Sequence, residues 1–108
     1  MKTKKPQMFR QGDVLVIECS RVDAVNEVER EGDRIVLAHG EATGHAHAIA
    51  SMDATLFMDA KTLNRYLDVK APVTINHEEH RRIDLPSGFF QVIRQRVYTP
   101  QGLRNVAD

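Results

Sequence analysis

Ile35-Val36-Leu37-Ala38-His39-Gly40-Glu41-Ala42-Thr43-Gly44-His45-Ala46-His47-Ala48-Ile49-Ala50 is the stretch on which the fold turns. It opens with four apolar residues, two of them β-branched, which is a strand signature. Gly40 to Gly44 supply a flexible loop, and from His45 onward larger and smaller side chains alternate. Residues 35 to 50 therefore read as a β-hairpin whose return strand carries His45 and His47. Side chains two apart on a strand share a face, so both imidazoles can turn toward one point. Ala46 and Ala48 leave the opposite face uncrowded.

Working outward, Gln11-Gly12-Asp13 is turn chemistry that opens Val14-Leu15-Val16-Ile17-Glu18-Cys19, a buried first strand. Residues 1–10 read as a polar leader and residues 11–108 as a single β domain. Asp53 to Leu67 supports two readings. Leu56, Ala60, Leu63 and Leu67 form a helical stripe behind an Asp53 cap, and short strands around Thr55–Phe57 and Arg65–Val69 are the competing assignment. Val73-Thr74-Ile75 and Ile83-Asp84-Leu85 flank Asn76-His77-Glu78-Glu79-His80, which puts a second histidine pair near the tip of a second hairpin. After the turn Pro86-Ser87-Gly88, Phe89 to Tyr98 reads as a long closing strand. Phe90 and Val92 are expected to pack inward, with Arg94 and Arg96 facing solvent or engaging a partner. That requires a bulge or a strand reaching beyond the core, because strict alternation puts all four on one face. The expected fold is mainly β, a small antiparallel barrel or sandwich, with a cupin-like barrel as one form.

Composition limits the chemistry. Fifteen Lys and Arg balance fifteen Asp and Glu over 108 residues, so the bulk positive charge that drives nonspecific binding to phosphate backbones is absent. Residues 31–80 hold four basic and eight acidic side chains, a net of −4, and contain the histidine pairs, whereas residues 81–108 hold five Arg against two Asp, a net of +3. No signal-peptide pattern follows the basic start and no apolar run is long enough to span a bilayer, so a cytoplasmic protein without membrane contact is expected. One cysteine, Cys19, excludes both an internal disulfide and a thiolate zinc site within one chain. Cys19 lies on an apolar strand with no local His, where a buried hydrophobic role outweighs a nucleophilic one.

His45, His47, His77 and His80 are the candidate metal ligands. Neutral imidazole suits transition metals, whereas magnesium and calcium prefer oxygen. Zinc is the leading expectation, with iron, nickel or manganese as alternatives. The His77–His80 spacing and its strand-like flanks exclude the zincin helix motif, which needs histidines four apart. His39 stands six residues before His45 and is a ligand, an outer partner or neither. Glu41, Glu78 and Glu79 are the candidate catalytic acids, since three histidines and a nearby carboxylate can activate a bound water. A divalent-metal-dependent hydrolase of unknown substrate is the leading expectation. One alternative is a nucleic-acid-binding module with a structural metal, using Arg81, Arg82, Arg94, Arg96 and Tyr98 on phosphates and bases. Another is a cupin-type small-molecule oxygenase or isomerase, and a homodimer is compatible with any of these.

Taken together, Gln11-Gly12-Asp13-Val14, Gly40-Glu41-Ala42-Thr43-Gly44-His45-Ala46-His47, His77-Glu78-Glu79-His80, Leu85-Pro86-Ser87-Gly88 and Gln95-Arg96 to Tyr98 resemble a family of small uncharacterised bacterial proteins. The resemblance runs from Gln11 to Asp108 and implies a shared site without naming a reaction. A looser similarity is to cupins, whose small β-barrels hold a metal with a His-x-His pair, a Glu and a later His. Here Ala48 to Met52 contain no acid, and Pro86-Ser87-Gly88 follows the later histidines instead of preceding them.

Overall fold

Gly12 has φ +58°, a left-handed conformation that glycine adopts without steric cost, and it reverses the chain between Met8–Gln11 (β1) and Val14–Glu18 (β2). β1 thus begins inside the stretch expected to be a polar leader, and it pairs with β2 from Met8↔Ile17 to Gln11↔Val14. The computed structural model describes residues 5–23, 25–39, 45–78, 80–94, 96–99 and 102–105, the last two ranges as backbone only. Among them there is no helix, and so none long and apolar enough to cross a membrane.

Asn26–Glu27 (β3) and the hairpin of Ile35–His39 (β4) with Ala46–Ile49 (β5) come next. The hairpin is the one expected over residues 35 to 50, with one irregularity: the register shifts between Val36 and Ala38. The bulge sends both Leu37 and Ala38 inward, at 0% and 7% exposure, and sets Ala38 opposite His47. Ala54–Met58 (β6) and Arg65–Val69 (β7) settle the ambiguous segment in favour of strands. Leu56 and Leu67 face one another across that ladder, so the helical stripe is corrected to cross-strand packing. Asp59 holds the connection, its Oδ1 accepting from the backbone N–H groups of Lys61 and Thr62.

Val73–Ile75 (β8) and Ile83–Leu85 (β9) form the second expected hairpin. Gly88–Arg94 (β10) is the core of the closing strand, followed by a separate ladder of Arg96–Thr99 (β11) with Gly102–Asn105 (β12). All pairings are antiparallel. One six-stranded sheet runs β1-β2-β10-β7-β6-β3. The β4–β5 and β8–β9 ladders are joined by reciprocal backbone hydrogen bonds between Ala48 and Asn76, at 3.0 and 2.8 Å. The six-stranded sheet ends at β1 and β3 and does not close into a barrel. Val16, Leu67 and Phe90 from that sheet share one buried cluster with Leu37, Ile49, Ile75 and Leu85 from the short ladders.

Within Gly88–Arg94 there is no bulge, one of the two expected ways of placing Arg94, and residue 95 lies outside the described residues. β10 pairs with β2 without interruption from Phe90↔Glu18 to Arg94↔Val14, so Arg94 stays on the face of Phe90 and Val92. It is tolerated there because Asp13 neutralises it, Nε to Oδ2 at 2.6 Å. The side chain of Arg96 lies outside the described residues.

Gly88 combines φ +153° with a Cβ position only 3.3 Å from the Phe90 ring, whereas Gly32, at φ +68°, has open space around it. Gly32→Ala should cost about 1 kcal/mol for the left-handed backbone alone. Gly88→Ala should cost more, about 1–3 kcal/mol, because backbone strain and a clash with a core ring act together. Denaturant unfolding of the two variants checks the order, and equal costs would refute it.

Candidate metal centre

Gln11, the last residue of β1, is 3% exposed and its amide is fully committed. Its Nε2 donates to the backbone carbonyls of Ile75 at 3.1 Å and Arg81 at 2.9 Å. That fixes Oε1 as the acceptor facing His47 Nδ1 at 2.8 Å, so Nδ1 carries the proton and donates. The other nitrogen, Nε2, lies 3.3 Å from Oδ1 of Asp13. His47 and Asp13 are both completely buried. A histidine that donates Nδ1–H to a fixed oxygen and turns Nε2 inward has the arrangement found for metal-ligating imidazoles.

The two histidine pairs, apart in sequence, come together in space. The His47 ring lies 4.4 Å from His77 and 5.8 Å from His80, centroid to centroid. His77 is 5.9 Å from His45 and 4.7 Å from His80. His45 precedes β5 and His47 lies within it, and both rings lie beside that of His77. His77 and His80 sit between β8 and β9, brought to β5 by the Ala48–Asn76 bridge. Oδ1 of Asp13, Nδ1 of His45 and Nε2 of His77 and of His80 are all buried atoms.

Glu78 ties the second hairpin to the first. Its Oε1 accepts the Ala46 N–H at 3.0 Å. Hydrogen bonds from the Ala46 and then the Glu78 backbone hold its carboxyl below the ordinary glutamate value against the opposing effect of burial, and the nearby His45 and His77 add smaller effects in the same direction as the bonds. A carboxylate so held is a weaker proton acceptor, which makes Glu78 a tether before it is a base. Glu41 and Glu79 lie outside the described residues, as do the side chains of Arg96 and Tyr98. Arg94 is described and is bound to Asp13. His39 does not join the cluster: it is exposed and pairs with Glu31 at 3.1 Å. Cys19 is half-buried, and burial pushes its thiol up, against a nucleophilic role.

Whether these residues suit a cation can be asked of the geometry. A tetrahedral ion with bonds of about 2.0–2.1 Å holds its ligand atoms roughly 3.3–3.4 Å apart, and the His47–Asp13 separation of 3.3 Å matches. Among the described residues, however, no three His, Cys, Asp or Glu side chains stand ready to hold a metal ion. The rings are packed as neighbours, with centroids 4.4–5.9 Å apart. The donors gathered there, one fully buried and three half-buried imidazoles with one carboxylate, are of types that transition metals accept. Asp13 and Gln11 were not among the expected site residues, although Gln11-Gly12-Asp13 was one of the motifs carrying the family resemblance.

Residues 10–95 match the model of a family described as Domain of unknown function (DUF8820). No curated protein and no solved structure matches the chain.

Because the Glu78 carboxyl is lowered in the folded state, its contribution to stability is present above the ordinary value of 4.5 and is lost as pH falls through its lower folded value. Glu78→Gln should unfold more easily than the parent near pH 7, and the gap should close below pH 4.5. Urea midpoints measured across that range check it, and a gap that does not change with pH would count against the tether.

Proposed function

The chain belongs to that family, whose description assigns no activity, and from the site's own residues we propose that it is a divalent-transition-metal-binding protein with zinc as the first candidate. The observation carrying this reading is the packing of His47 against both His77 and His80, at 4.4 and 5.8 Å. His47 and Asp13 are fully buried and the other three imidazoles partly so, which costs them hydration that a shared cation would compensate. The ligands would come from His45, His47, His77, His80 and Asp13, with iron, nickel or manganese as alternatives to zinc.

Metal-assisted hydrolysis is the reaction class proposed for the site: the ion, when bound, would lower the pKa of a coordinated water. The chain's own residues then have separate tasks. Gln11 fixes the His47 tautomer, Arg94 holds the second oxygen of Asp13, and Glu78 keeps the His77 loop against β5. A site left open to water favours hydrolysis, and one filled by four protein ligands favours a structural metal. Of the residues named for the nucleic-acid alternative, Arg94 is paired with Asp13, which lessens the support for that reading.

Protein purified without a histidine tag should carry, or take up on titration with zinc, about one equivalent of metal per chain. His80→Ala and His47→Ala should each remove most of it, measured by elemental analysis with circular dichroism to confirm folding. Full stoichiometry retained in either folded variant would overturn the proposal. His80→Ala is the safer variant, because His80 is only half-buried whereas His47 is fully enclosed.

A further inference from the structure

On the inner face of the six-stranded sheet, alternation runs Phe90, Val92, Arg94 along β10 and Val69, Leu67, Arg65 along β7. The two arginines end these rows at the same edge of the core, since Val92 pairs with Arg65 and Arg94 is two residues further along. Here a cavity of about 630 Å³ opens between that edge and Leu37–His39 of β4. Its lining is part apolar, with Leu37, Leu56, Met58, Leu63 and Val92, and part polar, with Arg65 and Arg94 lining it together.

The guanidiniums differ in how they are compensated. Arg94 gives Nε to Asp13 and Nη2 to the His39 carbonyl. Arg65 gives Nη1 to the Leu37 carbonyl at 2.6 Å, and among the described residues no carboxylate pairs with it. Burial, followed by repulsion from Arg94, weakens its hold on its proton. Glu31, at the rim, is held by His39. A charged side chain in a half-buried place without a countercharge is costly, and each arginine keeps further N–H donors free of the bonds named here. Leu63 adds a second anomaly at the mouth: it is 66% exposed and has φ +65°. A bulky residue in that conformation is strained, and strain of this kind gathers at binding sites.

We propose that this cavity binds a small organic anion, a carboxylate on a short apolar body, with Arg65 and Arg94 holding the carboxylate and Leu56, Met58 and Leu63 receiving the apolar part. Planar guanidiniums match a carboxylate by paired hydrogen bonds, and the volume suits a small molecule. The inference needs no metal, because it stands on the cavity and the two arginines. Arg94 nevertheless belongs to both places. Through Asp13 it reaches His47, so an anion that shares Arg94 also acts on the carboxylate beside the histidines.

Calorimetry and ligand-observed NMR with hexanoate, hexanol, hexylamine and inorganic phosphate, each with and without chelator, test the proposal. Hexanoate should bind about tenfold or more tightly than hexanol or hexylamine, as expected of a charge-assisted contact, and chelator should not abolish binding. Arg65→Met should lower hexanoate affinity about tenfold or more. Should that variant not fold, Arg65→Lys, which keeps the charge and loses the planar fork, should lower it several-fold. Absence of hexanoate binding, equal binding of hexanol, phosphate binding as tight as hexanoate, or unchanged affinity in whichever arginine variant folds would each overturn the proposal.

Discussion

A carboxylate with no exposure to water must be compensated where it stands, and Asp13 imposes that condition on the rest of the molecule. Stripping an ion of water costs several kcal/mol even after relaxation. Asp13 therefore needs the Arg94 guanidinium on one oxygen and His47 by the other. Those partners come from the end of β10 and the middle of β5, so one side chain in a two-residue turn fixes three strands together. Gln11, two residues earlier, extends the lock to β8 and to the backbone at Arg81. The β1–β2 turn is thus buried structure, not a surface loop.

The same ion pair separates two chemically different places. On the His47 side lie the imidazoles, with Asp13 and Glu78 as the acids beside them among the described residues. On the Arg94 side lies a cavity of mixed lining, in which Arg65 and Arg94 stand among apolar and polar side chains. Asp13 meets the two places with different oxygens, Oδ1 toward His47 and Oδ2 toward Arg94, so a shift of its carboxylate alters both contacts.

Much of the fold was legible in the residues. The hairpin at 35–50 and the one around His77–His80 followed from β-branched runs broken by turns, and the meeting of the histidine pairs followed from spacing and from the improbability of four unrelated imidazoles. What was not legible depended on contacts distant in sequence. Leu56, Leu63 and Leu67 satisfy a helical period, and only the pairing of Leu56 with Leu67 across β6 and β7 shows that a strand period governs. Asp13 looks like any turn aspartate until Arg94, 81 residues later, is placed against it. The arginines near the end of β10 were expected to need a bulge or a strand reaching beyond the core, because alternation puts them on the face of Phe90 and Val92. Arg94 stays on that face, and Asp13 pairs with it there.

The hairpin carrying His77 and His80 has strands of only three residues each, too short to be stable on their own. It is held in place from outside, by the Ala48–Asn76 bonds, by the Gln11 amide and by Glu78 on Ala46. Each of those ties reaches β5 or β1, the strands that hold His47 and Gln11. The loop that carries His77 and His80 is therefore tied to β5 and β1 by one pair of backbone bonds and by the Gln11 and Glu78 side chains. A three-residue ladder gains its stability from such outside ties, so the placement of these histidines depends on β5 and β1 as much as on their own hairpin.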